Sequence, residues 1–77
     1  MARYVGIDLA KRTMEVCVLD GNKIERHGLT TDKKGQTLLV QLVRKTDVVG
    51  YEVCRYGNRL ARMLEQETGC TVVSLNP

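Results

Sequence analysis

The stretch "YVGIDLAKRTMEVCVLDG", residues 4–21, carries the pattern on which the fold depends. Tyr4–Leu9 is a compact apolar segment typical of a buried strand, and Met14–Leu19 is a second one. The segment "DGN" at Asp20–Asn22 is typical of a tight hairpin turn, because Asp-Gly supplies the positive backbone dihedral angles that such turns require. Asp8 places a charge inside the first apolar strand, and its position there needs an explanation.

The sequence after this hairpin predicts a third strand and a helix. Lys23–Leu29 is more polar than the first two strands, which is typical of a strand at the edge of a sheet. Leucine and valine recur at helical spacing over Lys33–Lys45, and Thr30, Thr31 or Asp32 would be the N-cap of this helix. Gly35 weakens the first turn of that helix.

The remaining sequence predicts a strand over Asp47–Cys54, a helix over Arg55–Thr68 with Gly69 as its C-cap, and a strand over Thr71–Leu75. The order β-β-β-α-β-α-β predicts an α/β fold with a ribonuclease H-like mixed sheet. Strands joined by short turns are antiparallel, and strands joined through helices are parallel with right-handed crossovers. The final "NP" is typical of a helix start. We therefore expect residues 1–77 to be a single partial domain, truncated before its C-terminal helices.

Composition restricts the cellular setting. The chain has 77 residues, a net charge of +3 and three cysteines. Cys17 and Cys54 lie in apolar runs and are predicted to be small buried hydrophobes, which favours a reducing, cytoplasmic compartment. The sequence has no signal-peptide core, and no apolar run approaches the roughly 20 residues of a membrane span. The mild positive charge permits a nucleic-acid partner without requiring one.

Two acids interrupt apolar strands, and each follows a glycine by two residues. Asp8 lies in "VGIDLA" and Glu52 in "VGYEVC". Residues two apart on a strand share a face, so each acid has a glycine beside it that leaves room for an ion or a phosphate. Neighbouring carboxylates suit Mg²⁺ or Mn²⁺, and paired metals support phosphodiester cleavage. The alternative is that both acids are strand-end caps or ion-pair partners of Lys11 or Arg55.

The two blocks "YVGIDLAKRTMEVCVLDG" and "VGYEVCRYGNRLARMLEQETGCTVVSLNP" resemble the N-terminal domain of the DEDD transposases of insertion-sequence family 110, which are similar to the Piv DNA invertases. The family shows a "GID" strand with a Lys-bearing turn, then a strand-end glutamate, a tyrosine, a Leu-rich helix, a glycine, a Val-rich strand and "NP". One departure is that Val53 and Cys54 stand where the family usually has a Thr-Gly pair.

The resemblance implies a RuvC-like nuclease domain, in which Asp8 and Glu52 match the first two acids of a metal-binding quartet. The parent protein would be a transposase or recombinase acting on the DNA of its own insertion sequence, and some relatives are guided by a structured RNA. The other two aspartates, and a C-terminal domain with a serine implicated in strand transfer, lie outside this sequence. We therefore expect weak Mg²⁺ or Mn²⁺ binding and no catalysis by the 77 residues alone.

Basic residues supply candidate nucleic-acid contacts. Arg55, Arg59 and Arg62 recur at i, i+4 and i+7 and so form one stripe on the second helix. Such a stripe either contacts phosphates or is a solvated helix face. Lys11 and Arg12 follow Asp8 directly and are placed to meet a phosphate at the mouth of the metal site.

Two other functions fit the same order of elements. One is an actin-like nucleotide-binding lobe with Asp8 holding Mg²⁺-ATP, although "LAKRT" lacks the Gly/Thr-rich phosphate loop of that family. The other is a non-catalytic module for oligomerisation or nucleic-acid binding. Both helices should cover one face of the sheet, so the uncovered apolar face predicts a homo-oligomer.

Overall fold

The structure is a computed structural model that describes residues 3–75. The start of a further helix expected at Asn76 and Pro77 lies outside these residues. The elements follow the predicted order: β1 (Arg3–Leu9), β2 (Thr13–Asp20), β3 (Lys23–Thr30), α1 (Lys33–Leu42), β4 (Val48–Glu52), α2 (Arg55–Thr68) and β5 (Thr71–Leu75).

The five strands form one mixed sheet in the order β3-β2-β1-β4-β5. The pairs β1–β2 and β2–β3 are antiparallel, whereas β1–β4 and β4–β5 are parallel. The α/β fold class and the edge position of β3 are therefore confirmed. The predicted hairpin turn is present, with Gly21 and Asn22 as its loop, because Asp20 pairs with Lys23. Among the described residues only glycine supplies a positive φ in this turn, 62° at Gly21, and Asp20 does not.

Both helices pack on one face of the sheet, and the core lies between them. Alternation along β1, β2 and β4 sends every second side chain into this core. Leu39 of α1 and Leu64 of α2 are fully buried against it. The buried strand side chains of this core are Val5, Ile7, Met14, Val16, Val18, Val49 and Tyr51.

Helix α1 ends three residues before the predicted boundary, and β4 begins one residue later than predicted. Val43 is extended at ψ 137°, and its backbone N–H donates to Leu39 O. Asp47 turns inward, where its Oδ2 accepts hydrogen bonds from Arg44 N at 2.8 Å and from the Arg3 guanidinium at 3.1 Å. The Asp47 carboxylate thus closes the α1–β4 connection instead of extending the strand.

The prediction that Cys17 and Cys54 are buried was wrong: Cys17 is half-buried on the open face of the sheet. The Cys54 thiol is exposed, and Cys54 is the N-cap of α2, with Sγ accepting the Gly57 backbone N–H at 3.2 Å. The other end of α2 is as predicted, with Gly69 as the C-cap at φ 77°. Of residues 3–75, no helix is both long and apolar enough to cross a membrane.

Candidate functional site

The sheet face opposite the helices carries side chains in rows that run across the strands. In the first row, Tyr4 pairs with Leu19 and with Val48, and all three are apolar. In the third row, Asp8 pairs directly with Glu15. We name this third row, formed by Glu15 on β2, Asp8 on β1 and Glu52 on β4, the carboxylate row.

Asp8 and Glu52 lie side by side on parallel neighbours. The β1–β4 register pairs Gly6 with Gly50 and Ile7 with Tyr51, and one further step sets Asp8 beside Glu52. Both side chains are exposed on the open face. Neighbouring strands are about 4.8 Å apart, so the fold brings together the two acids that the sequence singled out.

A glycine pair forms the floor beside these acids. A Cβ atom added to Gly6 would meet no atom within 4 Å, and one added to Gly50 would meet only the Leu75 side chain, at 3.5 Å. A groove of about 450 Å³ opens above them. The predicted space is therefore present beside Asp8, whereas Glu52 does not line it. The lining residues are Gly6, Ile7, Asp8, Glu15, Cys17, Arg26, Gly50 and Leu75.

Glu15 is the residue that the sequence analysis missed. It lies directly opposite Asp8, and its carboxylate is 3.7 Å from the guanidinium of Arg26. The alternation Met14-Glu15-Val16 in the sequence indicates which face Glu15 occupies. Met14 and Val16 are core residues, and the strand period of two therefore places Glu15 on the opposite face of the sheet.

Within the described residues, 3–75, neither Asp8 nor Glu52 forms an ion pair. The ion pairs found within residues 3–75 are Arg3–Asp47, Arg26–Glu15 and His27–Glu25. Lys11 and Arg55, the ion-pair partners considered from the sequence, are thus not paired with these acids in the structure. The described residues hold no group of three His, Cys, Asp or Glu arranged to bind a metal ion, so the donor set on offer is a pair of carboxylates.

We expect Asp8→Asn to stabilise the protein when no divalent ion is present. Asp8 stands between two like charges, and like charges directly opposite on a sheet cost about 0.2–1 kcal/mol per pair. Urea denaturation in a chelating buffer should place the midpoint of Asp8→Asn above that of the wild type. Glu65→Gln, which removes an exposed acid on α2, is the control that should leave the midpoint unchanged. A lower midpoint for Asp8→Asn would show that the carboxylate is a structural cap.

The predicted basic residues occupy two exposed places. Lys11 and Arg12 are in the turn after β1, at the same end of the strand as Asp8. The second place is on α2, where three arginines line a groove of about 240 Å³. We name this the arginine groove; its residues are Arg55, Asn58, Arg59 and Arg62. Among the described residues, no carboxylate forms an ion pair with these arginines.

The comparisons with known proteins bear on the fold. No protein-family model matches the sequence, and no curated protein matches it significantly. Solved structures do match, among them the crystal structure of the type II variant of the Aquifex aeolicus Ppx/GppA phosphatase, with a TM-score of 0.52 and 10% identity. The match covers 100% of this chain and 36% of that chain. At this identity the likeness shows the fold alone: the chain is an α/β lobe of the kind shared by ribonuclease H-like and actin-like proteins.

Proposed function

We propose that this chain supplies Asp8 and Glu52 as two ligands of a divalent-metal site in a DEDD-type transposase or recombinase that cleaves and transfers DNA strands. The observation that carries the proposal is the pairing of these acids. They lie at the same level on adjacent parallel strands and on one face, and within residues 3–75 no basic side chain forms an ion pair with either of them. Two ionised carboxylates in this arrangement repel each other unless a cation or a proton lies between them.

The residues suit Mg²⁺ or Mn²⁺ as the ion. Carboxylate oxygens are the ligands these hard cations prefer, and water completes the coordination shell where protein ligands are few. When bound, such an ion stabilises the charge that develops as a phosphodiester bond is cleaved. The chain's own contribution is to hold Asp8 in the wall of the groove above Gly6 and Gly50, with Glu52 beside Asp8 on the neighbouring strand. Lys11 and Arg12 would meet the DNA phosphate at the end of β1.

A metal titration tests this proposal. Paramagnetic Mn²⁺ added to the ¹⁵N-labelled chain should broaden the amide signals around Asp8 and Glu52, with an affinity of about 1 mM or weaker, because the protein provides two carboxylate ligands. The localised broadening should disappear in Asp8→Asn and in Glu52→Gln and persist in Glu65→Gln. We also expect no DNA cleavage by the 77 residues. Broadening spread evenly over all acidic residues would overturn the proposal.

A second candidate is an actin-like nucleotide-binding lobe, which the likeness to the Ppx/GppA phosphatase fold supports. The turn after Asp8 argues against it. That turn is short and contains no glycine, and Ala10 N already donates to Thr13 O at 2.8 Å, so this amide is not free for a phosphate. Calorimetric titration with Mg²⁺-ATP separates the two functions. Binding of the nucleotide at micromolar concentration that Asp8→Asn abolishes would favour the nucleotide-binding lobe.

A further inference from the structure

The arginine groove concentrates positive charge, and no carboxylate of residues 3–75 forms an ion pair with its arginines. Arg55, Arg59 and Arg62 are all exposed on α2 at spacings of four and three residues. Like charges at such spacings destabilise a helix by about 0.2–0.5 kcal/mol per pair. A polyanion bound in the groove would relieve that repulsion, and contacts of this kind neutralise phosphates without reading sequence.

A second concavity adjoins this groove between α1 and α2. It has a volume of about 280 Å³ and is lined by Gln36, Tyr56, Arg59, Leu60 and Met63. Arg59 lines both the groove and this cleft. The cleft therefore combines apolar side chains and an aromatic ring with one cation, which is the composition of a small-ligand site.

Hydrogen bonds hold the walls of the cleft in place. The Tyr56 hydroxyl donates to the Thr31 carbonyl oxygen at 2.6 Å. Gln36 Nε2 donates to the same oxygen at 3.2 Å and to the Tyr56 hydroxyl at 3.3 Å. Because both side chains are already ordered, a ligand that enters the cleft loses less free energy to side-chain ordering.

We propose that the α1–α2 cleft binds one unpaired nucleotide of a single-stranded nucleic acid. Its base lies against Tyr56 and Met63, and its phosphates lie on Arg59 and the rest of the arginine groove. This inference rests on the proposed function, since it assumes a nucleic-acid substrate. A duplex needs only the phosphate contacts, whereas an apolar cleft beside a cation also accommodates an exposed base. Contacts between bases and aromatic side chains are the usual source of affinity for single strands.

Fluorescence anisotropy tests the inference with a labelled single strand of about ten nucleotides, a typical size for a single-strand site, and with the duplex of the same sequence. Tyr56→Leu removes the ring and should lower single-strand affinity about 5–10-fold, at the low end of measured base–aromatic contacts, while duplex affinity stays unchanged. Tyr56→Phe keeps the ring and loses only the hydroxyl that orders it, so it should bind the single strand more tightly than Tyr56→Leu does. Arg59→Gln should weaken binding of both ligands. Lys23→Gln changes an exposed lysine at the start of β3 that lines neither the cleft nor the groove, and it should weaken neither substantially.

Equal losses on single strand and duplex, or no loss with Tyr56→Leu, would overturn the inference. Tripolyphosphate that displaces the single strand and the duplex equally well would also overturn the inference, because the site would then recognise charge alone. If Tyr56→Leu fails to fold, NMR spectra of the wild type replace it as the test. The signals of the Met63 methyl group and the Gln36 side-chain amide must then shift when the single strand is added, and unchanged signals would overturn the inference. Asp8→Asn should leave this binding intact, so failure of the metal site and failure of the cleft are observed separately.

Discussion

Replacing Asp47 with alanine should lower the free energy of unfolding by about 3–5 kcal/mol, the cost of removing one partner from a buried ion pair. The side chains of Arg3 and Asp47 are 8% and 0% exposed, and Arg3 Nη2 lies 3.1 Å from Asp47 Oδ2. In Asp47→Ala the Arg3 guanidinium would stay buried with only the Leu42 carbonyl oxygen as its acceptor. Since small domains are stable by about 5–15 kcal/mol in total, this loss approaches global unfolding.

Urea denaturation followed by circular dichroism measures this loss, and the chain offers a matched control. Arg26 and Glu15 also form an ion pair, at 3.7 Å, but their side chains are 73% and 61% exposed. Exposed pairs contribute about 0–1 kcal/mol, so Arg26→Gln should leave the midpoint nearly unchanged. The double change Arg3→Met with Asp47→Leu should recover much of the stability, because an apolar pair carries no uncompensated charge. An Asp47→Ala midpoint equal to that of Arg26→Gln would contradict the prediction.

The Arg3–Asp47 pair also shows where sequence reasoning about the fold reached its limit. Hydrophobic period, the Asp-Gly turn and the Gly69 cap are local signals, and they located every strand and helix to within a few residues. Asp47 was assigned to the start of β4 because its local context is a strand. Its partner Arg3 is 44 residues away in sequence. The order of elements predicted β1 and β4 as neighbours, and the structure confirms this. The ion pair also requires Asp47 to leave the strand and turn inward, which no local pattern contains.

Some residues of the candidate site were also identifiable from the sequence, and one was not. Asp8 and Glu52 were identifiable because each breaks an apolar run two residues after a glycine, and the parallel β1–β4 register sets them side by side. Glu15 was missed because an acid in an alternating strand is ordinary by itself. It becomes part of the carboxylate row only through the antiparallel register of β1 with β2. The residues that share a groove are thus determined by register, whereas the residue types are visible in the sequence.

Gly35 is the position at which local propensity predicts the wrong direction of a stability change. Alanine is about 1 kcal/mol more favourable than glycine within a helix, and Gly35 lies in the first turn of α1 with no positive φ. An added Cβ, however, would overlap the backbone carbonyl oxygen of Thr30. Gly35 and Thr30 lie this close because the Asp32 carboxylate accepts hydrogen bonds from both, from the Thr30 hydroxyl at 2.6 Å and from the Gly35 N–H at 3.0 Å. These two hydrogen bonds also hold the pKa of the Asp32 carboxyl below its ordinary value.

Gly35→Ala should therefore destabilise the protein by about 1–3 kcal/mol, the usual cost of overpacking, rather than stabilise it. The obstacle is main chain, so no rotation of a side chain can relieve the overlap, and α1 must move away from the end of β3. Gln36 follows directly and would move with the helix, away from Thr31 and Tyr56. Gly28→Ala is the control, because a Cβ on Gly28 meets nothing within 4 Å, and its unfolding midpoint should match or exceed the wild type. Thermal unfolding of the two variants side by side decides the matter: a higher midpoint for Gly35→Ala would mean that the β3–α1 connection yields easily and that helix propensity outweighs the steric term.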